Sequence, residues 1–190
     1  MRIQKQMDYS RVLIDCIGHN GLVAGGAPRD WFRGFGASDL DLYVFVGSDT
    51  EDMIEKMVKA KMEISRRGGT PLWETLGEDK EGVSYYSNHQ VKKVIEGYVS
   101  FWGEDAQKVQ LIFVHGNKFN LTDMFPVNLS EATYDGSKVS YTDAFMAGMR
   151  DRIISYEPDT KRTYLQKMQD KFPHFALVPR YHKIDMASRS

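Results

Sequence analysis

Two aspartates on a predicted β-strand carry the clearest chemical signal in this 190-residue sequence. Asp39 and Asp41 begin the segment DLDLYVFV, in which Leu and Val recur at every second position with the period of a strand. Both carboxylates therefore point to the same side of the strand. Like charges held this close repel each other unless a cation lies between them. The pair predicts a site for Mg²⁺ or Mn²⁺, ions that take oxygen ligands and often share them with substrate phosphates.

A glycine turn precedes the acidic strand. The short apolar run 22–24 predicts a strand that stops at Gly25 and Gly26, where backbone N–H groups can approach a phosphate closely. A helix that begins near Pro28 would direct its positive end to the same place. A glycine turn for phosphates beside two carboxylates for a metal ion is suited to phosphoryl or nucleotidyl transfer.

The whole segment 22–46 matches a known family pattern. Seven positions fit GGxxRDxxxGxxxxDxD with every spacing intact, namely Gly25, Gly26, Arg29, Asp30, Gly34, Asp39 and Asp41. The pattern resembles the head domain of tRNA CCA-adding enzymes and bacterial poly(A) polymerases, within the DNA polymerase β-like nucleotidyltransferase superfamily. A DxD pair or a glycine turn alone would be weak, because both are common on solvated strands and loops. The resemblance depends on the seven positions together.

The resemblance implies a fold and a set of site residues. The expected fold is α+β (mixed α/β), with a mixed sheet of four to five strands and helices packed on one side. Asp39 and Asp41 would be the catalytic, metal-binding residues, and Gly25 and Gly26 would hold the nucleotide phosphates. The expected cofactor is Mg²⁺ or Mn²⁺, and the expected partners are an NTP and an acceptor that is tRNA or another RNA, or a protein.

Three nearby residues have both a structural and a functional interpretation. Arg29 and Asp30 form either a salt bridge that orders the loop or a pair that supports the site; both interpretations can hold together. Arg29 could reach a phosphate, and Asp30 could tether the turn. Ser38 stands where the family often has a basic residue, so it is either a phosphate-binding hydroxyl or a plain loop residue.

The third carboxylate of the superfamily has no clear counterpart. It usually comes from a later strand beside the DxD strand, and the best candidate strand, 108–114, has Gln110 at that position. Glutamine offers a neutral oxygen ligand but cannot act as a base. Glu96, Asp105 or Asp123 would supply the missing charge, or the site works with two acids, or it no longer catalyses.

Hydrophobic periodicity places these residues among several helices and strands. The predicted helices are 7–17, 28–33, 50–65, 120–127, 142–152 and 159–172. The first strand and the glycine turn occupy 21–26, and the further predicted strands are 39–46, 91–101, 108–114 and a hairpin around Asp135-Gly136. We expect a nucleotidyltransferase domain over residues 1–141, a helical extension over 142–178 and a flexible tail over 179–190.

The extension is the most basic part of the chain. Its charges are Arg150, Arg152, Lys161, Arg162, Lys167 and Lys171. It weakly resembles the start of the neck that follows the head in CCA-adding enzymes. Contact with phosphate or RNA competes with a solvated helix face, which we favour on sequence grounds.

Composition sets outer limits on the function. The net charge is −1, from 25 basic and 26 acidic residues, so RNA contact would depend on a local patch. The single Cys16 excludes an intramolecular disulfide and fits a reducing compartment. The sequence has neither a signal-peptide core nor an apolar run long enough to span a membrane. We therefore expect a cytoplasmic protein that does not contact membranes.

The leading prediction is an enzyme that transfers NMP from an NTP to an acceptor hydroxyl and releases pyrophosphate. The alternative is a weak or inactive nucleotidyltransferase-fold protein that binds a nucleotide, an RNA or a partner protein, which Gln110 favours. The length is too small for a complete CCA-adding enzyme. It is that expected of small stand-alone nucleotidyltransferases, such as those of bacteriophages and toxin–antitoxin systems.

Overall fold

The computed structural model describes residues 3–18, 21–47, 50–69, 72–75 and 91–181. The helices are α1 (Ile3–Ile17), α2 (Gly26–Phe32), α3 (Thr50–Arg66), α4 (Asp143–Asp151) and α5 (Arg162–Lys171). The strands are β1 (Gly21–Ala24), β2 (Asp39–Val46), β3 (Leu72–Thr75), β4 (Val91–Val99), β5 (Gln107–His115), β6 (Ala132–Tyr134), β7 (Val139–Tyr141), β8 (Ile153–Tyr156) and β9 (Ala176–Pro179). Two 3-10 helices cover Lys118–Met124 and Asn128–Ser130. Within these ranges, no helix combines the length and the apolarity needed to cross a bilayer.

Seven strands form one mixed sheet in the order β3-β4-β5-β2-β1-β6-β7. The neighbours β2 and β5 are parallel, whereas the other strand pairs of this sheet are antiparallel. The α+β class is confirmed. The sheet is wider than the expected four to five strands, because β3 adds one edge and the β6–β7 hairpin adds the other.

The alternation of β2 assigns its residues to the two faces of the sheet. Leu42 and the other even-numbered apolar residues of this strand pack in the core that contains α1, α2 and α3. Tyr43 packs in a second, smaller core with Leu121 and Phe125, which follow β5. The α-helices α1 to α3 thus pack on one side, as expected, and the 3-10 helix covers part of the other. Asp39 and Asp41 share the face of Tyr43, away from the three helices.

A buried glutamine fixes the loop that leads into the acidic strand. Gln6 is fully buried in α1, and its amide donates to the carbonyls of Ala37 (2.7 Å) and of the Gln107 side chain (2.9 Å). Its side-chain oxygen accepts from the Trp31 indole (2.9 Å) and from the Ala37 N–H (2.8 Å). The network is fully satisfied, so α1 fixes the chain two residues before Asp39.

The region predicted as a helical extension also contains strands. Between α4 and α5 lies β8, which pairs in parallel with β9. The prediction of helices alone was therefore incomplete, because the run Ile153–Tyr156 is β-branched and aromatic, and it pairs with a distant partner. The small hydrophobic core of this region also includes Val127 and Leu129. Both residues precede residue 142, where the extension was predicted to begin.

The start of the predicted tail is ordered. Pro179 ends β9, and the Arg180 guanidinium contacts the buried carboxylate of Glu131 at 3.1 Å and that of Glu157 at 3.3 Å. A flexible tail that begins at residue 179 was thus wrong for residues 179 and 180. Residues 182–190 of that prediction lie outside the described residues.

Candidate active site

A cavity of about 350 Å³ opens on the face of the sheet that carries the two aspartates. One wall is formed by β2 and β5, and the glycine turn and α2 form a second. A third wall comes from α5, with Tyr164, Lys167, Met168 and Lys171. The structure therefore brings together Gly25, Gly26, Arg29, Asp30, Ser38, Asp39, Asp41 and Gln110, all predicted from the sequence.

Asp41 is held in an electrostatically unfavourable position. Its Oδ1 atom is buried and has no hydrogen-bond partner within the described part of the chain. Burial, and after it the neighbouring charge of Asp39, raise the pKa of Asp41 from 3.8 to about 7. Lys167, Arg29 and Lys108 oppose this shift. A carboxylate oxygen that is buried without a partner, beside a second carboxylate, is the environment that a divalent cation would relieve.

Asp39 contacts the residue that precedes it. Its Oδ1 accepts a hydrogen bond from the exposed Ser38 hydroxyl at 3.2 Å. Ser38 thus contacts Asp39 and lines the same cavity. From the sequence alone, Ser38 is either a hydroxyl that binds a phosphate or a plain loop residue.

The glycine turn differs in detail from the sequence prediction. Gly25 has φ of 80°, a conformation that favours glycine, and its N–H donates to the Ala132 carbonyl at 2.9 Å. That N–H is therefore engaged by β6 and does not face a phosphate. The helix α2 begins at Gly26, two residues before the predicted start at Pro28. Gly26 lines the cavity without a side chain, so a phosphate could approach its backbone there.

Arg29 and Asp30 form the predicted salt bridge and join two elements. The Arg29 Nε atom lies 3.3 Å from Asp30 Oδ1, and the Lys171 Nζ atom lies 2.6 Å from Asp30 Oδ2. The Arg29 guanidinium also lies over the Phe172 ring at 5.7 Å. The pair thus ties α2 to the end of α5, and both residues remain in the cavity wall.

Asp30→Asn is expected to loosen α5 from α2. The substitution leaves Lys171 and the buried Arg29 without their shared anion, which should cost about 2–3 kcal/mol of unfolding free energy. Thermal denaturation followed by circular dichroism would measure the loss. Asp151→Asn is the matched control, because Asp151 pairs with Arg150 on the exposed surface and its loss should change the melting temperature little. Equal melting temperatures for Asp30→Asn and the wild type would contradict this role.

Gln110 lies directly beside the buried aspartate. In the parallel register of β2 and β5, Asp41 is opposite Gln110 and Asp39 is opposite Lys108. The Gln110 Nε2 atom donates to Glu96 Oε2 at 3.2 Å, and Glu96 Oε2 lies 3.4 Å from Lys108 Nζ. A neutral amide thus occupies the neighbouring position to Asp41, and the Glu96 carboxylate lies one strand farther away.

Asp105 and Asp123, the other two candidates for the missing third acid, do not line the cavity. Asp105 lies exposed in the turn between β4 and β5, and its backbone carbonyl accepts from the Tyr9 hydroxyl of α1 at 3.3 Å. Asp123 is exposed on the first 3-10 helix, outside the residues that line the cavity. The supporting role expected for Asp123 stays a prediction, and nothing in the cavity lining favours it.

Sequence reasoning missed the cationic wall of the site. It favoured a solvated face for the basic helix α5, yet Lys167 and Lys171 line the cavity together with Tyr164. The Tyr164 hydroxyl lies 2.9 Å from the Ser130 hydroxyl, which anchors α5 beside the sheet. The spacing of residues 164, 167 and 171 was the available signal, since positions three and four apart share one helix face.

The residues present fit a divalent cation. Asp39, Asp41 and Gln110 offer carboxylate and amide oxygens, the ligand types that Mg²⁺ and Mn²⁺ prefer. In the described ranges, no group of three or more His, Cys, Asp or Glu side chains is arranged to hold a metal ion. A third protein ligand would accordingly be the amide rather than an acid.

Comparisons with known proteins agree on the fold. No protein-family model matches the sequence, and no curated protein matches it either. Among solved structures, the Thermotoga maritima CCA-adding enzyme in complex with tRNA is similar over 93% of this chain and 39% of that chain, with 13% identity and a TM-score of 0.57. A structure described as a tRNA-processing enzyme, apo form I, is similar over 93% and 44%, with 12% identity and a TM-score of 0.53.

This chain therefore spans less than half the length of those two structures. At such low identity, the likeness concerns the fold alone. The fold that the motif GGxxRDxxxGxxxxDxD indicated is confirmed: the chain has the nucleotidyltransferase fold of the CCA-adding enzymes.

Proposed function

We propose that this protein is a metal-dependent nucleotidyltransferase that transfers NMP from an NTP to an acceptor hydroxyl. The observation that carries the proposal is the buried Oδ1 of Asp41, which has no hydrogen-bond partner among the described residues and lies beside Asp39 in a cavity that lysines also line. Keeping such a carboxylate is costly unless a cation binds it. The nucleotidyltransferase fold supports the same class of reaction.

Asp39 and Asp41 would hold Mg²⁺ or Mn²⁺ in this proposal. The bound cation would neutralise phosphate charge and stabilise the charge that develops on the transferring phosphoryl group. Lys108, Lys167 and Lys171 lie around the same cavity and would attract the triphosphate. The Gly26 backbone would allow close approach of a phosphate, and Arg29 would support that wall through its contact with Asp30.

The reaction forms one bond and breaks another. The acceptor oxygen bonds to the α-phosphorus while the bond from that phosphorus to the pyrophosphate oxygen breaks, and the hydroxyl proton passes to water. Gln110 has no basic atom to take this proton. We therefore expect slow turnover by the wild-type protein.

The acceptor is proposed by class. An RNA 3′ end, tRNA included, is favoured by the likeness to an enzyme solved in complex with tRNA. A protein or small-molecule hydroxyl is the other option. The same proposal includes a cytoplasmic location and a kinship with small stand-alone nucleotidyltransferases of the bacteriophage type. A single, buried Cys16 is compatible with a reducing compartment.

A second candidate function is binding without turnover. The neutral Gln110 beside Asp41 is the observation that favours it. In that case the cavity would sequester a nucleotide, an RNA or a partner protein, and no label would be transferred.

Incubation with each α-labelled NTP, Mg²⁺ or Mn²⁺, and total cellular RNA and protein tests the proposal. We expect slow, metal-dependent transfer of label from one NTP to one acceptor class, which Asp39→Asn should abolish. Asp151→Asn is the control variant, since it removes an exposed carboxylate far from the cavity. Tight NTP binding without label transfer to RNA, protein or small molecules would establish the second candidate and refute the enzyme.

A further inference from the structure

Three polar side chains form a row across three neighbouring strands. Asp41 on β2 is in register with Gln110 on β5, and Gln110 is in register with Glu96 on β4. Residues in register on neighbouring strands share one face of a sheet, and adjacent strands lie about 4.8 Å apart. Gln110 therefore stands between two carboxylates, with Asp41 on one side and Glu96 on the other.

The contact with Glu96 determines which way the Gln110 amide faces. A carboxylate has only acceptor atoms, so it must receive the amide NH₂ group, as the 3.2 Å distance from Nε2 to Glu96 Oε2 shows. The amide oxygen and nitrogen lie on opposite sides of the group. The Gln110 oxygen is therefore directed away from Glu96, and Asp41 is the residue in register with Gln110 on the other neighbouring strand.

A lysine holds the other end of the row. Lys108 Nζ lies 3.4 Å from the same Glu96 Oε2 that receives the Gln110 amide. The carboxylate of Glu96 is thus already in contact with a cation and a donor. This leaves the carboxylates of Asp39 and Asp41 and the amide oxygen of Gln110 in the lining of one cavity, with a formal charge that one divalent cation balances.

We propose that Gln110 is an amide ligand of a single divalent cation, and that Glu96 is the positioning residue that orients it. This inference rests on the metal site in the proposed function and adds two residues and a stoichiometry to it. Glu96 does not contact the cation. It acts through the amide, as outer partners of metal ligands commonly do by fixing the direction of the ligand atom.

The inference predicts a pattern of binding that charge alone would not produce. Partners of metal ligands typically change metal affinity by about 10- to 100-fold. Glu96→Gln leaves a side chain that can either donate or accept, so the Gln110 amide is no longer held in one orientation. If Glu96 acts through that amide, its substitution matters only while Gln110 is present.

Titration with Mn²⁺ alone, followed by the electron paramagnetic resonance signal of free Mn²⁺, measures both affinity and stoichiometry. We expect one Mn²⁺ per chain, about tenfold weaker binding for Glu96→Gln, and at least tenfold weaker binding for Gln110→Met. In the Gln110→Met background, Glu96→Gln should cause no further loss. Glu104→Gln removes an exposed carboxylate beyond the end of β4 and should bind like the wild type.

Other outcomes of the Mn²⁺ titration would overturn either this inference or the metal site itself. Equal losses from Glu96→Gln in both backgrounds, wild-type affinity for Glu96→Gln, or two Mn²⁺ per chain at the site would overturn the inference. Undiminished binding by Asp41→Asn would instead overturn the metal site in the proposed function, so the two failures are distinguishable. Circular dichroism melting of each variant separates lost binding from lost folding, and Gln110→Ala replaces Gln110→Met if the latter fails to fold.

Discussion

The Asp41→Asn protein should lose metal-dependent NTP binding and yet unfold at a higher temperature than the wild type without metal. Both effects have the same origin. Within the described part of the chain, Asp41 has a buried oxygen without a hydrogen-bond partner beside the carboxylate of Asp39, which is favourable only when a cation is bound. Asparagine has a similar size, removes the charge and replaces a carboxylate ligand by a weaker, neutral amide. An ordinary inactivating substitution would lower affinity and stability together.

The pKa of Asp41 sets the direction in which the stability of the metal-free protein changes with pH, and the pH range of that change. Burial and the charge of Asp39 raise the pKa of Asp41 from 3.8 to about 7. Between about pH 4 and pH 7 the unfolded chain has already released this proton while the folded chain retains it, so the stability of the metal-free wild type falls as the pH rises. Above pH 7 the cost is fully developed, at about 4 kcal/mol or less, because one pKa unit corresponds to about 1.4 kcal/mol.

Melting curves with EDTA at pH 4 and pH 8 measure this difference. Asp41→Asn should gain on the order of 5–10 °C over the wild type at pH 8 and little or nothing at pH 4. With saturating Mg²⁺ and NTP the order should reverse, because only the wild type gains stability from the ligand. Calorimetry that finds equal, metal-independent NTP binding in both proteins would contradict the whole interpretation of the site.

The site could be predicted from sequence where its parts lie close together along the chain. Residues 21–46 form one continuous strand–turn–helix–strand unit, so the spacing of the motif within it implies a shared cavity wall. The position of Gln110 was also anticipated, because the family resemblance implies a third acid on a later strand beside β2, and 108–114 was the best candidate strand. Local period and local spacing were sufficient for the residues of the motif, whereas Gln110 depended on the resemblance.

Other parts depend on contacts that no local pattern encodes. Gln6 looks like a surface residue of α1, yet its buried amide fixes the loop before Asp39 through partners 31 and 101 positions away. Lys171 looks like a solvated helix residue, and only the packing of α5 against α2 brings it to Asp30. The strands β8 and β9 are four residues each and separated by a helix, so neither has a periodicity that identifies it. Tertiary packing decided each of these cases.

Exchanging the acid and the amide of the row should convert a slow enzyme into a faster one. The double variant Glu96→Gln/Gln110→Glu places the carboxylate beside Asp41 and the amide on β4. The net charge and the hydrogen bond between the two strands are kept, with the donor and acceptor reversed. If the missing base limits the wild-type reaction, transfer should rise by about 10²- to 10⁴-fold, the usual contribution of a general base.

The single variants show why the exchange is the better experiment. Gln110→Glu alone also places an acid beside Asp41, but it leaves two carboxylates directly opposite each other on β4 and β5, which is destabilising. Only the nearby Lys108 would offset that repulsion. We therefore expect a smaller rate increase and a lower melting temperature for Gln110→Glu than for the exchange variant. Gln110→Asp should increase the rate less than the exchange, since its shorter side chain reaches less far.

Single-turnover transfer of an α-labelled NTP to the acceptor found for the wild type measures the effect on chemistry. The exposed acids serve as controls: Asp105→Asn and Asp123→Asn should transfer at the wild-type rate, because neither side chain enters the cavity. The rate of the exchange variant should also fall at low pH as the new carboxylate becomes protonated. Fast transfer by the wild type that survives substitution of Gln110, Glu96, Asp105 and Asp123 in turn would show that the acceptor hydroxyl is activated without any of them.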